Sequence, residues 1–590
     1  MCSAARAESF TIVDGDTLAG IAIPLKPSEA ESLAAAEIAK YVELMSGAKL
    51  SIAQTDDPPA GTIVLGKSND LGEEGYSITI KDGRLLLTGA RDRSILYVAY
   101  DLLERLGCKW LAPKYAFYGD SAEVVPKKAK LVLELDGPVV EIPKMKFRKL
   151  YVEEGHTHSA ENLAQMVEWM SKTRRNTLVV PTDYQGAGRV KWDNWREALT
   201  PELKKRDITI EVGGHGYQNF INAEMPDVKP EWLGMDATGK RGKEHGRVFC
   251  TSNPDAVSFL VKNVVAYLEA RPEIDIFDFW PPDGSKWCEC EACLKLGTPA
   301  DRQARLVSEV ILKAREQGVK SRFECIAYAV YTDPPVNPPM DPSVLIDFCP
   351  IGQCFEVQIS DPSSPRNAEY AKDLQAWRKN FKGDLSIYSY YRKYAWNSLP
   401  VIIPHYMQAD MQWYAKVGTD GMASYSEPGD WRTYELNHYV LSQLSWNPDY
   451  DVDAGISEFC EARYGKCADV ARALLMTMED TVRHGCRIPG TTLKTPAELA
   501  GYMEKLIKAK SALARQAAGD AAVAALLTSA DFALKDMAIQ KQRAENGSLA
   551  ERAKMVDELS AFLESHDGQG VFVLGGRLSK DKLMKAYGAQ

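Results

Sequence analysis

Between Lys146 and Glu427 the chain alternates strand-like and helix-like blocks, and this alternation restricts the fold more than any other feature. The strand-like blocks are Phe147–Val152, Thr177–Val180, Ile208–Val212, Ile274–Trp280, Arg322–Tyr328, Val344–Cys349, Leu385–Tyr390 and Gly421–Tyr425. Helix-like blocks between them include Ala160–Arg174, Pro254–Ala270, Arg302–Gln317 and Ala368–Asn380. Eight strands with intervening helices predict an α/β fold built on a central (β/α)8 TIM barrel. An open doubly wound sheet is the competing fold, but no glycine-rich phosphate loop follows an early strand.

The flanks read differently. At 590 residues the chain exceeds the roughly 250–300 that one core supports. Residues 8–140 predict a small α/β domain in front of the barrel. Its helix Glu29–Met45 places Leu33, Ile38, Tyr41 and Leu44 on or near one face. Strands Gly61–Leu65 and Tyr76–Ile80 follow, then a hairpin turn at Lys81–Arg84 into Leu85–Thr88, then a helix Ser94–Leu106 stopped by Gly107. The barrel is expected over 145–432. Residues 433–590 predict a helical C-terminal domain, with helices over Tyr434–Leu444, Val452–Tyr464, Ala468–His484, Pro496–Gln516 and Ala521–Glu545.

A net charge of −10 without a long basic run argues against a nucleic-acid partner. No run of about 18 apolar residues predicts a transmembrane segment. Ala5-Arg6-Ala7 fits the small-x-small pattern before a signal-peptidase cut, which predicts an exported protein, periplasmic, secreted or lipid-anchored through Cys2. Twelve cysteines are many for a cytosolic enzyme and few for a disulfide scaffold. Cys349 with Cys354 and Cys460 with Cys467 are close enough in sequence to bridge, with buried free thiols as the alternative.

In a (β/α)8 barrel the active site lies at the carboxyl ends of the strands. Those ends are rich in polar and aromatic residues here. Strand one runs into Glu153, Glu154, His156 and His158, and strand three into His215 and Tyr217. Strand four ends in Asp278, Trp280 and Asp283, and strand five carries Glu324 and Tyr328. Strand seven supplies Tyr388, Tyr390, Tyr391, Arg392 and Trp396, and strand eight Glu427, Asp430 and Trp431. Aromatic faces stack on sugars, and two carboxyl groups divide acid and base or nucleophile duties across a glycosidic bond. Asp283, Glu427 and Glu154 are therefore the catalytic candidates. Glu324 points inward if Phe323 and Cys325 point outward, and burial there would raise its pKa unless a neighbouring strand's Arg pairs with it.

The sharpest local pattern is Cys288-x-Cys290-x2-Cys293. Three thiols at this spacing can converge on a soft metal ion, with Cys250 or a histidine completing the four ligands zinc wants. Structural zinc is the metal expected, and no cofactor is expected for catalysis. A disulfide with one thiol left over is the alternative. His156, His158 and His215 form a second possible metal set, although their strands are not adjacent; for His215, hydrogen bonding to substrate is the expected role.

The segment GYSITIKDGRLLLTGARDRSILYVAYDLLERLGCKWLAP resembles the domain that precedes the barrel in α-glucuronidases and family 20-like hexosaminidases. PEWLGMDATGKR, RVFCTSNPDAV, WPPDGSKWCECEAC, IAYAVYTDPP, LSIYSYYRKYAWNSLP and LSWNPDYDVDAGISEFCEARYG together resemble a bacterial family described as domain of unknown function 4838. Part of that family is classified as glycoside hydrolase family 163, whose known activity is an endo-β-N-acetylglucosaminidase on complex N-glycans. The resemblance implies a retaining hydrolase of host-type glycans. It implies roles for Asp283 as the acidic position after strand four, for His215, and for Tyr328 and Tyr390. Asn253 matches an Asn-Pro motif, with capping of the next helix as its alternative role. Trp280-Pro281-Pro282 departs from the family, which has smaller polar residues there, and reshapes the subsite beside Asp283. Glu154 and Glu427 rest on strand-end placement alone. Tyr217, Trp280, Tyr391, Trp396 and Trp431 complete the candidate substrate-binding set.

The function expected is hydrolysis of a glycosidic bond in complex glycans at a β-linked N-acetylglucosamine. The alternatives are a carbohydrate-binding protein on a non-catalytic barrel, a glycosidase acting on a uronic acid, and a metal-dependent hydrolase using the three histidines.

Overall fold

The computed structural model describes residues 8–152, 158–181, 192–242, 246–284, 286–517, 519–574 and 578–590. Eight parallel strands close into a barrel in chain order. They are β1 (Phe147–Val152), β2 (Thr177–Pro181), β3 (Thr209–His215), β4 (Ile276–Trp280), β5 (Arg322–Ala327), β6 (Leu345–Phe348), β7 (Leu385–Ser389) and β8 (Gly421–Ser426). The ring shuts where β1 pairs with β8, from Phe147 opposite Gly421 to Val152 opposite Ser426. The strands are buried almost throughout, as parallel strands covered on both faces must be.

Of the helices expected between the strands, all four are present, at Ala160–Lys172, Pro254–Glu269, Pro299–Glu316 and Pro365–Asn380. Two more, Trp192–Lys204 and Pro404–Val417, complete the wrapping of β2 and β7. Three of the six, Pro254–Glu269, Pro299–Glu316 and Pro365–Asn380, pair a polar N-cap side chain (Asn253, Thr298, Ser364) with proline at the first helical position, where a missing N–H costs nothing.

In front of the barrel a six-stranded sheet packs against helices Glu29–Ser46 and Asp92–Arg105. Its hairpin Tyr76–Lys81 to Arg84–Gly89 turns at Asp82 and Gly83, both at positive φ (50° and 70°), the geometry of a two-residue primed turn. Charged side chains fasten this domain to the barrel. Glu74 accepts from Arg148, from Arg93 at 3.1 Å and from the Asn176 amide at 3.1 Å. Burial works against the Glu74 charge, but Arg148 and Arg93 hold its carboxyl below the usual range. Arg93 also reaches Asp207 at 3.2 Å.

Behind the barrel the chain is helical. Trp431–Trp446, Val452–Tyr464, Ala468–Gly485, Pro496–Ala514 and Ala521–Ala544 match the expected blocks, and Leu549–Glu564 and Lys580–Tyr587 add to them. No described helix is long and apolar enough to cross a membrane. The eleven described cysteines are free thiols. Neither Cys349 with Cys354 nor Cys460 with Cys467 forms a bridge: the Cys349 sulfur lies 2.8 Å from the Tyr390 hydroxyl, and the Cys467 thiol donates to the Gln516 carbonyl at 3.6 Å. Cys2 lies outside the described residues.

Candidate active site at the barrel mouth

Side chains alternate in and out along a strand, so strand register decides what fills the barrel. Phe147, Ile276 and Leu345 form a separate apolar cluster at the amino-terminal end. Two residues further along each of these strands stand Lys149, Asp278 and Asp347, joined by Glu211 on β3 and Glu324 on β5. All five are buried. Lys149 Nζ lies 2.7 Å from Glu211 and 2.8 Å from Asp347. Glu324 accepts from the Trp280 indole N–H and from the Asp347 backbone N–H at 3.2 Å. These partners, an indole and a backbone amide, stand where a neighbouring strand's arginine was one alternative.

Four carboxyl groups around one ammonium cannot all ionise in a dry interior. Burial and then the charge of Glu211 push Asp278 well above the carboxylate range. Burial and then Asp278 and Asp347 do the same to Glu324. Burial works against the Lys149 charge, but Asp347, Glu211, Glu324 and Asp278 together hold its pKa up. This layer therefore favours the protonated form of Asp278 and Glu324. Gly213 (φ +151°) lets β3 approach β4 here, since a Cβ would stand 2.3 Å from the Asp278 carbonyl oxygen.

One further step along the strands, the polar layer is roofed by aromatic rings. Tyr151 meets Tyr425 and Tyr388 edge-on at 5.0 and 5.2 Å, and Trp280 meets Tyr388 at 5.5 Å. Tyr390 joins at 5.7 Å from Tyr388, and His215 lies 5.2 Å from Trp280 and 5.6 Å from Tyr328. Beside His215 and Tyr328, the half-exposed carboxylate of Asp283 lies 3.9 Å from His215 Nε2 and accepts from the Tyr328 hydroxyl at 3.4 Å. His215 Nδ1 sits 2.6 Å from the Pro281 carbonyl oxygen. That oxygen only accepts, so Nδ1 carries the proton and Nε2 faces Asp283. Burial and the Asp283 charge push the Tyr328 hydroxyl up, which keeps it a donor.

In strand order β8 stands opposite β4, and there Glu427 follows the last strand residue. Its side chain is buried, 3.8 Å from His158 Nε2. Burial pulls His158 below the ordinary histidine range, against the opposing pull of Glu427. Next to it Arg392 grips Asp430 through two nitrogens at 2.6 and 3.2 Å, and Ser398 donates to Asp430 at 2.9 Å. This pair bolts the turn after β8 to the turn after β7. A cleft of about 780 Å³ opens alongside, lined by Ile351, Glu356, Arg366, Glu369 and Lys393, and Lys393 lies 4.9 Å over the Tyr390 ring.

The mouth thus brings together Asp283, His215, Trp280, Tyr328 and Tyr390 from the sequence candidates, while Glu427 stands buried after β8 beside His158. Glu154 and His156 lie outside the described residues. The other candidates make packing or capping contacts. Asn253 is a helix cap, accepting from Asp255 and Ala256 N–H at 3.0 and 3.1 Å. Tyr217 packs on Phe279 at 4.3 Å, and Phe279 has the outward parity of β4. Tyr391, one residue out of phase with Tyr390, points away and donates to Asp410 at 2.9 Å. Trp396 is buried against Phe355 at 5.0 Å. Trp431 stacks on His438 at 4.2 Å and meets Trp169 at 5.2 Å, a packing position under the helical domain. Lys149, Glu211, Asp347, Tyr151 and Tyr425 were not among the candidates.

His158 and His215 stand at different carboxylates and do not converge. Among the described residues the cluster whose ligand atoms do converge is Cys250, Cys288, Cys290 and Cys293.

Residues 117–475 match the family model described as Domain of unknown function (DUF4838). The chain belongs to that family. No curated protein matches the sequence. Among solved structures, this DUF4838 member is similar to a GH138 enzyme targeting pectin rhamnogalacturonan II, at 12% identity and TM-score 0.59, over 96% of this chain and 76% of that one. It is similar to the GH20 β-N-acetylhexosaminidase from Streptomyces coelicolor A3(2) at 13% identity and TM-score 0.50, over 78% and 94%. It is also similar to CpGH84B at 10% identity and TM-score 0.50, over 98% and 97%. At these identities the likeness lies in the fold, and the DUF4838 member shares its barrel with glycoside hydrolases of three families.

Proposed function

We propose that this protein is a glycoside hydrolase cleaving complex glycans at a β-linked N-acetylglucosamine. What carries the proposal is Asp283: a solvent-reachable carboxylate at the rim of an aromatic-lined barrel mouth, with His215 Nε2 at 3.9 Å and the Tyr328 hydroxyl at 3.4 Å. Of the rings around it, Tyr328 and Tyr425 are partly exposed and offer faces for a sugar. Asp283 serves as general acid and base at the glycosidic oxygen, with His215 and Tyr328 setting its orientation. Glu427, on the strand opposite, is the second carboxylate; it either attacks the anomeric carbon or orients the substrate's own N-acetyl group to do so. The GH20 structure, a β-N-acetylhexosaminidase, supports an N-acetyl sugar. The proposal includes export, since polymeric glycans are met outside the cell.

A uronic acid substrate is the second reading, supported by the likeness to the pectin-targeting GH138 enzyme. It asks for a cation at the mouth, and the two near Tyr390 are already engaged, Arg392 with Asp430 and Lys393 with the Ile351 carbonyl at 2.6 Å. The test is incubation of the protein with complex N-glycoproteins, mucin O-glycans, glucuronoxylan and pectin, with products read by mass spectrometry. A released fragment ending in N-acetylglucosamine supports the first reading. A released uronic acid replaces it with the second. Binding without turnover of any of them makes the barrel a lectin.

A further inference from the structure

The four cysteines come from two loops that carry little regular structure. Cys250 ends the long loop after β3, and Cys288, Cys290 and Cys293 lie in the segment after β4 and its short helix Glu291–Lys295. They form a buried cluster of their own, apart from the main core. Their sulfurs all lie within 4.8 Å of one another, with Cys250 at 3.7 Å from Cys290 and 3.8 Å from Cys293. A disulfide closes to about 2.05 Å. Four thiolates about 2.3 Å from a tetrahedral zinc stand about 3.8 Å apart, which the separations of Cys250 from Cys290 and Cys293 match.

The surroundings suit thiolates. The Met235 N–H donates to Cys288 Sγ at 3.3 Å. Ser252 Oγ lies 3.2 Å from Cys293 Sγ and 3.4 Å from Cys250 Sγ. Arg241 Nη1 approaches Cys288 Sγ at 4.0 Å. The Met235 N–H and the Arg241 guanidinium are donors that spread the excess negative charge of a metal held by four sulfurs. A set of four protein ligands leaves no open position, so the centre is structural.

We propose that Cys250, Cys288, Cys290 and Cys293 bind one zinc ion, and that this ion fixes the loop on which Asp283 stands. On binding, each thiol gives its proton to solvent as its sulfur bonds the metal. The two clamped segments also meet directly. Val248 N–H donates to the Lys286 carbonyl at 2.7 Å, and Gly246 (φ +77°) lies so close that a Cβ would stand 2.4 Å from the Asp283 carbonyl oxygen. Arg302 Nη1 donates to the Cys288 carbonyl at 2.7 Å and ties the clamp to the following barrel helix. The consequence for Asp283 rests on the hydrolase reading; the metal site does not.

The test is elemental analysis of the full chain purified without chelator. About one zinc per chain is expected. Cobalt(II) exchanged into the wild-type protein is expected to show sulfur-to-metal charge-transfer bands and the visible bands of a tetrahedral site. Cys250→Ser and Cys290→Ser are expected to lose the zinc. Because these variants can misfold, unreduced wild-type protein is also mapped by mass spectrometry. Removal of zinc is expected to open the segments around Cys250 and Cys288 to proteolysis, whether or not any glycan is cleaved. Protein with no metal and four free thiols, disulfides among these cysteines, or iron in place of zinc would overturn the proposal.

Discussion

Lys149 Nζ stands 2.7 Å from Glu211 Oε1 at the centre of the barrel, with both side chains sealed from solvent. Asp347 holds the other side of the ammonium at 2.8 Å. Removing one partner of a buried pair leaves an uncompensated charge, a cost of about 3–5 kcal/mol. Lys149→Met, which keeps most of the volume, is expected to lower stability by that amount in urea denaturation. A loss under about 1 kcal/mol would mean the carboxyl groups simply take up protons when the cation goes.

Asp283 accepts from the Tyr328 hydroxyl and from its own neighbour Gly284, and its side chain is half-exposed. Asp283→Asn is therefore expected to leave the melting temperature nearly unchanged while lowering kcat by about 10²–10⁴-fold on whichever glycan the panel identifies. Retained turnover would remove Asp283 from the chemistry.

Glu427→Gln keeps the shape of a buried side chain but loses its charge beside His158. A kcat loss of about 10²–10⁴-fold is expected here too. Rescue of the variant by azide, with a glycosyl azide as product, would identify Glu427 as the nucleophile. Rescue without that adduct would assign it to orienting an N-acetyl group.

Gly246 faces the Asp283 backbone at positive φ. A side chain costs about 1–2 kcal/mol for the left-handed conformation alone, and the Cβ collides with the Asp283 carbonyl. Gly246→Ala is expected to reduce kcat by about 10²-fold through displacement of the carboxylate, with the far-ultraviolet circular dichroism unchanged. Full activity would show that the Asp283 loop absorbs the collision.

His405 begins the helix after β7 and bonds through Nδ1 to Glu479 of the helical domain at 2.7 Å. Glu479 also accepts the His405 backbone N–H at 3.0 Å. The hydrogen bond to Glu479, ahead of its charge and that of Asp453, raises the imidazole pKa despite partial burial. The unfolded value is about 6.5. The stabilisation is thus complete below that pH and is lost as pH rises through the higher folded pKa. Its size is under about 1 kcal/mol, because the pair is screened by solvent. Melting temperatures on either side of this interval should show the decline in the wild type, and Glu479→Gln should flatten it.

Much of the architecture was legible in the sequence. Strand blocks such as Thr177–Val180 and Val344–Cys349 are set apart by short apolar, β-branched-rich runs, and helix starts such as Asn253-Pro254 carry their own caps, so short-range physics marks them. The Trp192–Lys204 helix was harder to see, since it is polar and holds Pro201. The late helices Leu549–Glu564 and Lys580–Tyr587 were likewise not marked out. Asp283, His215, Tyr328 and Glu427 were singled out because the carboxyl ends of barrel strands are where chemistry sits, and the fold places them at those ends. Trp396, Trp431 and Tyr391 share the same strand ends and the same residue types, yet they pack into the core, and composition does not separate the two fates.

The sequence by itself determined the order of the barrel strands and of most helices, and with it the barrel, because those elements are specified by propensity, periodicity and caps within a few residues. It also placed Cys288, Cys290 and Cys293 in one short segment. The tertiary structure alone decided which side chains meet. Closure of β1 on β8 brings Tyr151 to Tyr425 across hundreds of residues, and the register of β1, β3 and β6 puts Lys149 between Glu211 and Asp347. The fold of the loop after β3 delivers Cys250 to the other three thiols. These contacts depend on register and closure, which arise from the summed packing of the whole barrel and leave no mark in any local window of sequence.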